Sequence, residues 1–203
     1  FIDKPLANEV GDVNAILAAA KKSGAPVFSA SILRHISGAF QFRSRLPEVG
    51  RVESGFIRGS GLTMAGQIHA VSLAQAVFGA GIQEVRVMGP EEMGVVHLSW
   101  GGRDDRPGAG VVIHQGVREM WHCSYHVSAY GGDGAILSHN NINDWYFPAA
   151  AAEIIKLIKE MVLSRKPHDS LNDMVEAVAV VNAARLSSKQ GSRAVMVDEI
   201  ISG

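Results

Sequence analysis

Lys4 and His69 are the residues of this 203-residue chain whose types and settings could do chemistry. Lys4 stands in the opening run Phe1-Ile2-Asp3-Lys4-Pro5-Leu6-Ala7. A lysine beside a proline at the end of a strand sits at the mouth of an α/β sheet, where its ammonium can meet a substrate oxygen or a cofactor edge. A lysine in a helix-entry loop is also commonly just solvated. His69 falls in a segment that reads as a helix, and an imidazole titrating near working pH suits moving a proton to or from an alcohol oxygen. Among Ile68, Val71 and Leu73 it reads equally as a hydrogen-bonded core residue. His97, His114, His122, His126 and His139 raise a metal reading. His122 and His126 lie two pleats apart on one strand face, about 13 Å by strand rise, too far to share a zinc ion. With no clustered carboxylate and no second cysteine, no metal site is expected. Cys123 falls on a predicted core face and no serine stands in a Gly-x-Ser-x-Gly elbow, so nucleophilic hydrolysis lacks its parts. Asn140, Asn141, Asn143 and Asp144 suit polyol recognition and suit a turn equally. Trp145-Tyr146-Phe147-Pro148 could border a sugar pocket or anchor packing before a helix.

The elements that must position these residues fall into three stretches. Asn8 to Gly24 is an amphipathic helix with Val10, Val13, Ile16, Leu17 and Ala20 at helical spacing, ended by Gly24 and Pro26. Val27 to Ser31 reads as a short buried strand, so the opening is a strand, helix, strand unit of the parallel-sheet kind. Gln41 to Leu46 is a short helical or irregular segment stopping at Pro47 and Gly50, Arg51 to Arg58 a strand, and Leu62 to Phe78 a helix closed by Gly79 and Gly81. Strands follow at 84–88, 95–100, 111–115, 119–130 and 134–139, separated by hairpin-length turns, which predicts an antiparallel meander.

Alternation gives one covered face. Trp121, Cys123, Tyr125 and Val127, like Val96, Leu98 and Trp100, point to the core, while Met120, His122, Ser124, His126 and Ser128 point away. The fold class is α+β, an open, predominantly antiparallel sheet with helices on one face. Two helices close the chain. Ala149 to Leu163 should bury Ile154, Ile155, Leu157, Ile158 and Val162. The second opens at Ser170 as N-cap with Asp173 at N3, and buries Met174, Val178, Val181 and Ala184. Ser192 to Val197 could add a last short strand.

Composition excludes several partners. With 47% apolar and 19% charged residues and a net charge of −1, the chain is an ordinary globular one. It has no basic footprint for nucleic acid or an anionic membrane. No apolar stretch is long enough to span a bilayer. One cysteine excludes an intrachain disulfide and accords with a reducing compartment, and a cytoplasmic location is the expectation.

Lys-Pro after an acidic residue, set within strand, helix and strand, resembles the Gfo/Idh/MocA family of nicotinamide-dependent oxidoreductases, in which Glu-Lys-Pro or Asp-Lys-Pro closes the nucleotide-binding domain. The run 181–188 with Gly191 and Val195 resembles that family's final helix and closing segment. The resemblance implies that residues 1–32 are a remnant of the nucleotide-binding domain and 33–203 the C-terminal substrate-binding and oligomerisation domain. The bulk of the dinucleotide fold would precede Phe1. A pyrophosphate needs a glycine-rich turn opening a helix, and Gly55-Phe56-Ile57-Arg58-Gly59-Ser60-Gly61 has the wrong spacing for one.

The resemblance implies further that Lys4 and Pro5 lie beside the nicotinamide, with the Lys4-Pro5 bond cis, and that His69 is the acid/base in the substrate pocket. NAD or NADP would serve the full-length protein, with neither bound tightly by this portion, which alone is expected to be inactive. The substrate would be a sugar, inositol or related polyol, and the free sheet face would pack on a second subunit. One departure stands out: Ala65 occupies the place, one helical turn before His69, where the family has Asp. That opens an alternative, a non-enzymatic binding or assembly module that kept the fold.

Overall fold

The computed structural model describes residues 1–59, 61–89, 94–115 and 123–202. Residues 119–122 of the predicted strand 119–130, the whole predicted turn 116–117 and part of the turn at 89–94 therefore lie outside the described residues.

Helix positions follow the apolar spacing closely. α1 (Val10–Ser23) buries Val10 and Val13 and ends at Gly24, whose φ of 70° is left-handed and free of strain only without a Cβ. α2 (Ser37–Ser44) buries Ala39 and Phe42. α3 (Met64–Phe78) starts at Thr63, whose side chain accepts the Gly66 N–H, and is buried on nearly every side, as its apolar circumference requires. α4 (Phe147–Ser164), α5 (Leu171–Lys189) and α6 (Val197–Ser202) complete the helices of the described residues. α6 was not anticipated; it takes over from the predicted last strand after Val195–Met196.

Two details of the predicted helices are corrected. Ser170 does not cap α5 through its side chain: its backbone is in the helical region (φ −69°, ψ −1°), not extended as a capping side chain needs, and its hydroxyl pairs with His168 Nδ1 at 2.8 Å. On α4, Ile154 and Met161 are buried, but Ile155 and Val162 are 65% and 61% exposed. Helical spacing put them near the buried stripe, yet only the stripe's other edge meets Phe28 and Ala30.

The strands are β1 (Val52–Arg58), β2 (Glu84–Met88), β3 (Val95–Ser99), β4 (Val111–His114), β5 (His126–Gly131), β6 (Gly134–Leu137) and β7 (Val195–Met196). They form one sheet in the order β6-β5-β1-β4-β3-β2-β7. The α+β class with a predominantly antiparallel sheet holds, but the simple meander does not. β1 lies between β5 and β4 and runs parallel to β4, with Gly55 opposite Val111 and Ile57 opposite Ile113. Alternation tells which face of a strand is buried and is silent about its neighbour. The opening unit also falls short of a ladder. Phe1-Ile2 and 27–31 are extended on either side of α1 and meet through a single bond, Ile2 N–H to Phe28 O at 3.0 Å.

Over the described residues the predicted alternation holds, except that Ser128, read as pointing away from the core, is only 7% exposed. Val85, Val87, Val96, Leu98, Val111, Ile113, Ile57, Val127 and Ala129 are buried beneath α3 and α5. The opposite face carries Arg86, Met88, His97, His114, Arg58, His126, Tyr130 and Leu137, and no helix covers it among the described residues. Trp100, 1% exposed, closes the sheet's end by donating from Nε1 to Gly79 O at 3.0 Å. No helix of the described residues is long and apolar enough to cross a membrane.

Candidate active site

Three segments remote in sequence converge on one cavity. The first is Asp3-Lys4-Pro5, where the Lys4–Pro5 peptide bond is cis. Leu6, 2% exposed, anchors this segment in the core. The start of α1 is tied to α5 through Asn182, which accepts Val10 N–H at 3.1 Å and donates to Asn8 O at 2.9 Å. Lys4 is thus carried on a fixed piece of backbone.

The second segment is α3, which places His69 at 7% exposure with its ring lining the cavity. The ring lies between Tyr125, edge-on with centroids 6.3 Å apart, and Phe147 at 6.5 Å. The third is the extended run 28–31, of which Ser31 is fully buried and sets its Oγ 2.7 Å from His69 Nδ1. Ser31 is held from the far side as well. The 3-10 turn Ile32–Arg34 that follows it is pinned by Arg34, which donates to Gln75 Oε1 on α3 at 3.1 Å and pairs with Asp173 on α5. Burial lowers the Arg34 pKa, and the Asp173 charge works against that loss.

The cavity measures about 410 Å³ and is lined by Phe1, Asp3, Lys4, Ile32, His69, Phe147 and the α4 residues Ala151, Ile154, Ile155 and Ile158. A small polar corner of ammonium, carboxylate and imidazole therefore faces an apolar wall, the usual composition of a small-molecule site. Burial, and then the Lys4 charge, push the His69 pKa down to about 3, so the imidazole is neutral at pH 7. A larger hollow of about 550 Å³ lies between the segment 81–83, α5, β7 and α6. Its Glu176 carboxylate already accepts from Gly81 N–H at 2.8 Å and Gln75 Nε2 at 2.9 Å, which is structural work.

Lys4 and His69, both singled out in the sequence, line the same cavity, and Pro5 follows Lys4 without lining it. Ala65 is half-buried one turn before His69, and the hydrogen-bond partner that an aspartate there could have been is supplied by Ser31 instead. Of the aromatic cluster, only Phe147 reaches the cavity; Trp145 is 76% exposed. Asn143 does turn work, accepting Trp145 N–H at 3.1 Å and donating to Asn140 O at 3.1 Å. Among the described residues no three His, Cys, Asp or Glu side chains gather as metal ligands. His97 bonds Ala109 O at 2.7 Å, and His114 and His126 flank Arg58 in register, a poor setting for a cation. Ser31 and the α4 wall were not found from sequence. The only signal for the wall was an α4 segment with more apolar positions than one buried face can use.

Comparison with solved structures gives matches along almost the whole chain. A probable dehydrogenase of Thermotoga maritima superposes with a TM-score of 0.74 at 19% identity, over 98% of this chain and 73% of that one. A myo-inositol dehydrogenase of Corynebacterium glutamicum gives 0.73 at 16% identity, over 96% and 71%. The myo-inositol dehydrogenase of Lactobacillus casei in complex with NAD(H) and myo-inositol gives 0.71 at 12% identity, over 96% and 69%. The chain has the fold of these dehydrogenases. The Gfo/Idh/MocA resemblance carried by Asp3-Lys4-Pro5 is upheld at the level of fold, and the dehydrogenase fold spans both ends of the chain. No protein-family model matches the sequence, and no curated protein does so.

Proposed function

We propose that the chain is the C-terminal substrate-binding and oligomerisation portion of an NAD(P)-dependent oxidoreductase acting on a hydroxyl-bearing carbon of a sugar, inositol or related polyol. The observation that carries this reading is the meeting of Lys4 and His69 in one cavity of about 410 Å³. Residues 1–32 contribute Lys4 and Ser31 to that site, and 33–203 contribute His69 and the apolar wall. Lys4 is the positioning cation, and His69 the group that meets the substrate oxygen.

The residues present fit one end of a nicotinamide dinucleotide. Lys4 and Pro5 form a rim for the nicotinamide. Gly59 and Gly61 stand between β1 and α3, but with Gly55 to Arg58 inside β1 they lack the spacing of a turn that seats a pyrophosphate. When bound, the nicotinamide supplies or takes up the hydride. The protein's part is to hold the reacting carbon, exclude water with Phe147 and α4, and fix the oxygen with Lys4 and His69. The 203 residues alone are expected to bind neither NAD(H) nor NADP(H) tightly. The test is polyol-dependent reduction of NAD+ or NADP+ by the full-length protein. Reduction with an inositol or a sugar is the expected result; none with either cofactor across a polyol panel favours the non-enzymatic alternative that Ala65 suggested.

The open sheet face supports the assembly part of the proposal. It mixes cationic and histidine side chains with Met88, Tyr130 and Leu137, which are 39%, 44% and 67% exposed, a composition that suits a wet contact between subunits. Light scattering on the purified protein should report more than one copy per particle, and a strict monomer at high concentration counts against it.

A further inference from the structure

The Ser31 hydroxyl stands between two nitrogens. Leu33 N–H donates to Ser31 Oγ at 3.2 Å, and Oγ lies 2.7 Å from His69 Nδ1. The amide can only donate, so it occupies one lone pair of Oγ and leaves the hydroxyl proton and a second lone pair. Two arrangements then satisfy the contact with the imidazole. In one, Ser31 O–H donates to a bare Nδ1. In the other, Nδ1–H donates to Oγ, and the hydroxyl proton must find a different acceptor. Among the described residues Oγ has no third partner, and Ser31 is fully buried. The second arrangement therefore strands a buried O–H, a loss that folded proteins avoid. The first leaves the Ser31 hydroxyl fully paired, and it puts the single proton of the neutral ring on Nε2.

We propose that Ser31 is a positioning residue that holds His69 as the Nε2–H tautomer, so that the cavity presents two donors, this N–H and the Lys4 ammonium, and receives its substrate in the carbonyl form with the oxygen as acceptor. The inference rests on reading this cavity as the substrate site, and it narrows what His69 does there. A neutral ring already protonated at Nε2 cannot take a hydroxyl proton at that atom. It can hold a carbonyl oxygen and stabilise negative charge developing on it. Burial and the Lys4 charge, which keep the ring neutral, act in the same direction. So does Ala65. A carboxylate bonded to Nδ1 can only accept, so it would draw the ring proton to Nδ1 and leave Nε2 free as a base; serine sets the opposite polarity.

Nitrogen-15 spectra of the full-length protein labelled at histidine read the tautomer directly, with the His69 signals assigned by their loss in a His69→Gln variant. At pH 7 a protonated Nε2 and an unprotonated Nδ1 are expected. Ser31→Ala, which removes one buried oxygen, should convert this single form into a mixture of both tautomers. A protonated Nδ1 in the unaltered protein, or a Ser31→Ala spectrum identical to it, overturns the proposal. No substrate enters the measurement, so the result stands whether or not polyol oxidation is found. An active enzyme with Nδ1–H loses this proposal and keeps the functional one.

Discussion

Replacing His69 by Asn is expected to lower NADH- or NADPH-dependent reduction of the keto form of the substrate by the full-length protein about a hundred- to a thousand-fold, the loss typical of removing one donor aimed at a reacting oxygen. His69 is the imidazole lining the Lys4 cavity, held at Nδ1 by Ser31 and edge-on to Tyr125. Asparagine keeps a polar head but is shorter, so the donor is displaced from the oxygen. Because the contact strengthens as charge develops, the loss should appear mainly in kcat and less in KM. A rise in KM at constant kcat in steady-state assays would mean that His69 binds the ground state and transition state alike.

Acid should destabilise the protein well above the carboxylate range. A histidine in the unfolded chain titrates near pH 6.5. In the fold, burial and then Lys4 push His69 down to about 3, and burial and then Arg34 push His35 down to about 4. Above pH 6.5 neither state binds these protons, and the contribution to stability is complete. As the pH falls below 6.5 the unfolded chain takes up protons that the native one refuses, so stability drops until the native values near 4 and 3 are reached. Each such histidine contributes a slope of at most about 1.4 kcal/mol per pH unit. Between pH 6.5 and 5 the combined loss is roughly 2–4 kcal/mol. Urea midpoints at the two pH values measure it, and a His35→Gln/His69→Gln double variant should flatten the dependence. Equal midpoints for the unaltered protein at pH 5 and pH 7 would contradict the neutral state of both rings.

The sequence was informative where a local rule governs. Gly24 ends α1 because a left-handed residue is needed there, and Val96, Leu98 and Trp100 face the core because strand side chains alternate. Lys4 and His69 were legible through the motif around Pro5 and the position of His69 on its helix. What escaped was long-range. Ser31 and His69 are 38 residues apart, and nothing distinguishes a serine that orients a ring from Ser29, buried two residues earlier. The placing of β1 between β4 and β5 was illegible for the same reason, since a two-residue period carries no record of the neighbouring strand. Ile155 and Val162 were misread as core because the helical period cannot tell a covered apolar face from one bordering a cavity and solvent.

The most direct measurement compares the rates of polyol-dependent NAD+ or NADP+ reduction by full-length Lys4→Met and Lys22→Met variants. Lys22 lies exposed in the last turn of α1, so its loss removes the same charge away from the cavity. The Lys4–His69 site predicts that Lys22→Met keeps the unaltered rate while Lys4→Met loses it by about a hundred-fold or more. Equal rates in the two variants would contradict it.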